Sequence, residues 1–194
     1  MDSIKAAEWE RRLEGKTFSG YQIVKRIGNG KSAVVFKAHL VERPNDFVAV
    51  KIFDDELIQA VGLELHQQRA DLELGLKGHG IDCLIDILDG GRTTVDGHEY
   101  HHIMMPFFEG ITLTEYFQKG EYDDSFMKKV VRKLVDVTEQ LLNDRQIAHR
   151  DIKADNIMVG PDGQIMVMDL GVLKHMHSVI DSSHKDFIGT WRYG

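Results

Sequence analysis

The stretch His149-Arg150-Asp151-Ile152-Lys153-Ala154-Asp155-Asn156, followed after a short hairpin by Asp169-Leu170-Gly171, constrains this chain more than any other. It sets carboxylates and an amide on loops beside runs with strand character. Such a set suits a site that holds a divalent cation and accepts a proton. Hard cations take oxygen ligands, and magnesium in particular takes one or two carboxylates together with substrate phosphates. A separate aspartate is then left to receive the proton of a hydroxyl. Each short motif alone arises by chance, and Asp-Leu-Gly is an ordinary turn. Order and spacing carry the information. A glycine-rich turn, an Ala-Val-Lys strand and a helix come before these motifs, and Gly189-Thr190-Trp191-Arg192-Tyr193 comes after.

Composition narrows the function classes. The 194 residues amount to about one domain. Hydrophobic residues make up 42%, enough for a packed core, so disorder is not the expectation. A formal net charge of −7 argues against general nucleic-acid binding, which needs a basic face. The single cysteine, Cys83, has no internal disulfide partner, which fits a reducing compartment. No run approaches the ~20 apolar residues of a membrane span, and the start lacks a signal-peptide core. A cytoplasmic chain without a membrane segment is therefore expected. Ten histidines invite a metal reading. His98, His101, His102, His175, His177 and His184 show no Cys/His zinc spacing, so solvated surface histidines are expected.

Trp9 and Leu13 stand four apart among charged residues, predicting an amphipathic helix over 4–14. Residues 21–27 and 33–36 read as strands joined by Gly28-Asn29-Gly30-Lys31-Ser32. Glycines let the backbone approach phosphate oxygens, and the N–H groups of such turns form an anion-binding concavity. A turn between two strands differs from the strand-to-helix turn of dinucleotide sites. Pro44-Asn45-Asp46 reads as a break, and 47–53 as a strand with Ala49 and Lys51 on one face. A helix is predicted over 55–77, carrying Leu57, Val61, Leu65, Leu72 and Leu76. Residues 84–88 and 100–105 read as paired strands joined through Gly90-Gly91 and Asp96-Gly97. Asp123 or Asp124 is expected to cap a core helix with Phe126, Val130, Leu134, Val137 and Leu141 at helical steps. Residues 157–159 and 164–168 form a hairpin that delivers Asp169 beside Asn156.

Taken together, these motifs resemble the eukaryotic-type serine/threonine protein kinases, over about residues 21–194. The resemblance implies an α+β, two-lobe fold. A helical extension over 1–20 precedes a sheet lobe over 21–105. A hinge over 106–110 and a partial helical lobe over 111–194 follow. It implies ATP and magnesium as cofactors and a protein substrate bearing serine or threonine. Asp151 would accept the hydroxyl proton, and Lys153 would contact the transferred phosphate, as in the serine/threonine class. Asn156 and Asp169 would hold magnesium. Lys51 would hold the α- and β-phosphates under Gly28 and Gly30, paired with Glu73 or Glu64. Glu73 fits the spacing better, although Lys77 stands four residues on, where an apolar side chain is expected. Val35, Ala49 and Met105 would line the adenine pocket. The Pro106 carbonyl and the Phe108 N–H would bond the adenine edge, a pairing in which proline loses nothing.

Arg150 suggests control by phosphorylation of Ser178, Ser182, Ser183 or Thr190. Ala33 replaces the family's third glycine, and Leu170 its usual phenylalanine. The sequence ends at Gly194, where the family continues to Ala-Pro-Glu and further helices. A fragment, or a chain completed by a partner, is therefore expected. Two rival functions remain, an inactive binding scaffold and a small-molecule phosphotransferase of kinase-like fold. The second generally lacks a lysine at the position of Lys153.

Overall fold

Residues 48–52 are buried without interruption, as a central strand covered on both faces requires. The computed structural model describes residues 3–30, 32–120, 122–170 and 174–175. Lys31, Gly171, the serines and Thr190 of the expected phosphorylation control, and the segment 189–193 lie outside the described residues. The chain divides into two compact units, Met1–Gly78 with Asp86–Phe107, and His79–Ile85 with Phe108–Gly194. Residues 79–85, read from the sequence as part of the sheet lobe, thus belong to the second unit.

In the first unit, helix α1 (Ser3–Leu13) leads into β1 (Thr17–Phe18), β2 (Tyr21–Asn29), β3 (Ala33–Leu40) and β4 (Arg43–Phe53). Two helices follow, α2 (Asp55–Val61) and α3 (Leu63–Leu74), then β5 (Asp89–Val95) and β6 (His98–Pro106). The strands form one antiparallel sheet in the order β1-β2-β3-β4-β6-β5. One face carries Phe36, Val50, Ile52 and Met104, which share a core cluster with Ala6, Trp9 and Leu13 of α1. Trp9 meets Tyr100 edge-on at 5.4 Å. Burying Trp9 and Leu13 stabilises this unit by roughly 1.5–3 kcal/mol each. The helix expected over 4–14 is present and integral to the sheet.

Four expectations for this unit need correction. Pro44-Asn45-Asp46 does not interrupt the strand but sits inside β4, where the register jumps between the pairs His39↔Phe47 and Leu40↔Arg43. A proline, lacking an N–H, is tolerated at such an irregularity. Residues 84–88 are not a strand. The hairpin partner of β6 is β5, the hairpin turns at Asp96-Gly97, and Gly90-Gly91 lie within the strand. A Cβ on Gly90 would fall 2.8 Å from Ile103 Cδ1 and 2.9 Å from Leu74 Cδ2, so packing explains that glycine. His102 is not solvated. It is 4% exposed and edge-on to Phe18 at 4.9 Å, because it shares the inward face of β6 with Tyr100. Finally, the helix expected over 55–77 is two helices that meet at Gly62, whose φ of 97° no helix accommodates.

Beyond Leu74 the second of these helices tightens, with Leu76 N–H donating to Glu73 O and Lys77 N–H to Leu74 O, both at 3.0 Å. This brings Leu76, at 0% exposure, inward and leaves Lys77 in solvent. The polar Lys77 at an expected apolar position is thereby accounted for.

In the second unit, β7 (Ile111–Thr112) precedes α4 (Leu113–Lys119) and α5 (Asp124–Arg145). Next come β8 (Ile147–Ala148), a 3-10 turn over Ala154–Asn156, β9 (Ile157–Val159), β10 (Ile165–Val167) and β11 (Lys174–His175). Asp123 is the cap of α5, accepting from Phe126 N–H at 2.8 Å. Val130, Val137 and Leu141 are buried as the periodicity predicts, whereas Val131, Val135 and Leu142 are exposed. β9 pairs with β10 and β7, and β8 with β11. Leu113, Val130, Ile157, Val159 and Ile165 form the core, and Ile152 and Ala154 pack against it.

Candidate active site

That last contact orients the central loop. Ile152 and Ala154 are drawn to the core of the second unit, so Asp151 and Lys153, alternating with them, are turned the other way. Lys153 Nζ donates to Asp151 Oδ2 at 2.6 Å, and Asn156 Nδ2 donates to Asp151 Oδ2 and to Asp151 O, both at 2.9 Å. With its amide nitrogen committed to Asp151, Asn156 keeps its amide oxygen as a further acceptor. Asp151 is only 12% exposed in its side chain, and the positive charge of Lys153 offsets its desolvation.

His149 supports the loop from behind. It is 3% exposed, and burial pushes its pKa below the ordinary 6.5, against the opposing pull of the Met168 carbonyl and of Asp169 and Asp151. As a neutral ring it donates from Nε2 to Met168 O at 3.2 Å, and its Nδ1 accepts the Asp151 N–H at 3.4 Å. Met168 N–H donates to Asn156 O at 2.7 Å, which tethers Asp169 next to Asn156 in the chain path. Asp169 is exposed, and its φ of 59° and the 67° of Arg150 are both left-handed. Non-glycine residues held there mark segments that the surroundings over-determine, which is frequent at functional sites. On the other flank, Thr114 Oγ1 donates to Asp155 Oδ1 at 2.7 Å, tying α4 to the 3-10 turn. Phe108 also belongs to this unit and packs against Gly110 and Gly160. A Cβ on Gly110 would lie 2.5 Å from Val159 O, so any side chain there forces the neighbouring backbone to shift.

The first unit presents a sheet face. Register places Gly28, Val35, Lys51 and Ile103 in one cross-strand row, and Lys37, Ala49 and Met105 in the next row on the same face. Lys51 is 8% exposed and Glu73, on α3, 2%. Glu64, the other candidate partner of the lysine, is exposed. Gly30 N–H donates to Ala33 O at 2.9 Å and closes the turn. Neither Gly28 nor Gly30 has a positive φ, and a Cβ at either would meet nothing nearer than 4.0 Å. The fold itself does not demand glycine at these positions, whereas close approach of a ligand would. Lys37 Nζ lies 3.8 Å from the Phe47 ring centroid and 4.1 Å from that of Phe107, a cation held by two aromatic faces.

A model of the family described as "Protein kinase domain" matches residues 21–194. The chain belongs to the protein kinase family. A serine/threonine-protein kinase of Bacillus subtilis, PrkC, is 30% identical over 188 residues, covering 89% of this chain and 27% of the relative. The probable serine/threonine-protein kinase SCO3848 of Streptomyces coelicolor is 27% identical over 175 residues, covering 87% and 24%. The CBL-interacting serine/threonine-protein kinase 21 of Arabidopsis thaliana is 28% identical, covering 81% and 36%. This chain thus spans between a quarter and about a third of the length of these kinases.

For a kinase domain, the residues singled out from sequence fall into two groups. Asp151, Lys153 and Asn156 are in direct contact, with Asp169 adjoining through Met168. Val35, Ala49, Lys51 and Met105 share one sheet face, and Pro106 ends β6. Sequence reasoning gave no role to His149, Thr114, Asp155, Lys37 or Phe107. His149 could have been found by asking what braces a charged loop. The others pair residues far apart in the chain, and nothing local signals them.

Proposed function

We propose that this chain carries the transfer of the γ-phosphoryl group of ATP to serine and threonine hydroxyls of proteins, with Asp151 as the proton acceptor. The observation that carries the reading is the Asp151 carboxylate, fixed by Lys153 and Asn156 from its own loop. A base held in place before substrate arrives needs little reorganisation at the moment of reaction. The substrate hydroxyl oxygen bonds to the γ-phosphorus as the bond to the ADP oxygen breaks, and the hydroxyl proton passes to Asp151. Lys153 offers its charge to the transferred group, an assignment that favours a protein kinase over a small-molecule phosphotransferase. The Asn156 amide oxygen and the Asp169 carboxylate suit magnesium, a hard cation that would supply charge neutralisation across the phosphates. Among the described residues there is no cluster of three or more His, Cys, Asp or Glu able to hold a metal alone, so phosphate oxygens would complete its ligands.

Lys51 would steady the α- and β-phosphates beneath Gly28 and Gly30. Its partner in this reading is Glu73, since a buried carboxylate needs a cation and the exposed Glu64 does not. Val35, Ala49 and Met105 would receive adenine, and the Pro106 carbonyl and Phe108 N–H its polar edge. A cytoplasmic setting fits the single free thiol, Cys83, and among the described residues no helix is long and apolar enough to cross a membrane.

The test is transfer of labelled phosphate from magnesium-ATP to a protein mixture, followed by phosphoamino-acid analysis. Phosphoserine and phosphothreonine are expected, with a loss of about 10²–10⁴-fold in Asp151→Asn. Transfer confined to small alcohols or to tyrosine would overturn the reading. Nucleotide binding without any transfer would favour a scaffold.

A further inference from the structure

Helix α1 precedes the matched residues, which begin at 21, yet its apolar side is part of the sheet's core. Its polar side makes two further ties. Arg26 Nε donates to Glu10 at 3.0 Å, fastening α1 to β2. Lys5 Nζ reaches Asp54 Oδ1 at 2.6 Å and Glu56 Oε1 at 3.0 Å.

Asp54 is the more consequential contact. It is 6% exposed and follows Phe53, the last residue of the strand that carries Lys51. Its N–H donates to Ser32 O at 2.9 Å, holding the glycine turn. Its carboxylate caps α2, accepting the Glu56 N–H at 3.1 Å. One residue therefore joins the end of β4, the glycine turn, the start of α2 and, through Lys5, helix α1. A carboxylate this buried is stable only with a counter-charge. Lys5 supplies it, with 22% of its side chain exposed, whereas Glu56 is 83% exposed and contributes little to the triad.

We propose that Lys5 is a positioning residue for nucleotide binding, and that α1 is a brace built onto the kinase fold: Lys5 neutralises Asp54, and Asp54 holds the glycine turn and α2 in place. The inference rests on the reading above, that this sheet face receives ATP. Without Lys5, the Asp54 carboxylate turns toward water, and both the Ser32 contact and the α2 cap loosen.

Two measurements on the intact protein decide it: the Kd for magnesium-ATP by calorimetry, and amide hydrogen exchange. In Lys5→Met, ATP affinity should fall about tenfold, the scale of one lost charged hydrogen bond. Exchange should accelerate at Asp54 and across α2, with the β5–β6 hairpin unchanged. Lys5→Arg should restore both readouts. Asp54→Asn, which keeps an acceptor for the Glu56 amide and removes the buried charge, should stay within about twofold, and the double variant should recover most of what Lys5→Met loses. The double variant also carries the test should Lys5→Met fold poorly, since a double variant as impaired as Lys5→Met would overturn the neutralising role. Glu56→Gln should stay within about twofold. Unchanged exchange at α2 in Lys5→Met, or an equal effect from Glu56→Gln, would overturn the proposal. If the unsubstituted protein bound no nucleotide, the kinase reading would fail, and the exchange comparison would still decide the brace.

Discussion

The loop over 149–156 and the sheet face of β2, β3, β4 and β6 are ordered by opposite means. In the loop, the functional groups hold one another. Lys153 reaches back two residues and Asn156 five to the same carboxylate. On the sheet, placement comes from strand pairing between residues far apart in the chain. Lys51 is placed by pairing with Val35 on one side and Ile103 on the other, which lie sixteen and fifty-two positions away. A loop built from neighbours tolerates change elsewhere in the molecule. A sheet face does not, because a one-residue slip would send every side chain of a strand to the other face. On the function proposed above, proton acceptance would rest on local bonds and nucleotide binding on register.

Four changes probe this contrast, beginning with the largest. Asp151→Asn removes the acceptor but keeps a side chain of similar shape, so turnover should fall by about 10²–10⁴-fold. If order in the loop is local, the Kd for ATP should stay within about twofold, and calorimetry alongside the transfer assay separates the two. Gly110→Ala tests the backbone on which the loop's neighbours rest. With 2.5 Å between the new Cβ and Val159 O, it should destabilise the protein by about 1–3 kcal/mol. The denaturant midpoint reports it, and an unshifted midpoint would mean the strand moves freely. Thr114→Val removes the bond to Asp155 and should cost about 1 kcal/mol or less. Its mark would be a fall in kcat at unchanged KM for ATP.

The smallest effect is in pH. Burial holds the pKa of His66, His101, His102 and His149 below 6.5 in the folded protein. As pH falls through 6.5 the unfolded chain takes up protons that the folded one refuses, so stability should decrease in that direction and recover above it. His149→Gln should shallow that slope, as read from melting temperatures between pH 7 and 5.

Legibility followed the same divide. The loop stands out in the sequence because its parts are contiguous, eight residues in one run. The hairpin carrying Asp169 and a cap at Asp123 or Asp124 were legible too, since turn residues and caps act over three or four positions, and the structure decides for Asp123. Strand pairing was less so. The glycines at 90 and 91 look like a turn, and only the nearness of Ile103 and Leu74 reveals that they serve packing within β5. The burial of His102 follows from which face of β6 turns inward, which its own residue type does not announce. The ties of Lys5 to Asp54 and of Lys37 to Phe107 span forty-nine and seventy positions, beyond any periodicity.

The break at Gly62 bears on how the Glu73 helix comes to exist. Helix formation is cooperative along an unbroken run of hydrogen bonds, and isolated helices below about 12–15 residues are marginal in water. Gly62 divides the segment into pieces of seven and twelve residues. Neither can nucleate for the other, and neither is long enough to persist alone. The twelve-residue piece owes its shape to what lies against it, where His66 meets Phe53 and His101, and Leu74 approaches Gly90. A peptide of residues 55–74 would be largely coil, so the segment that presents Glu73 depends for its shape on the sheet packed against it.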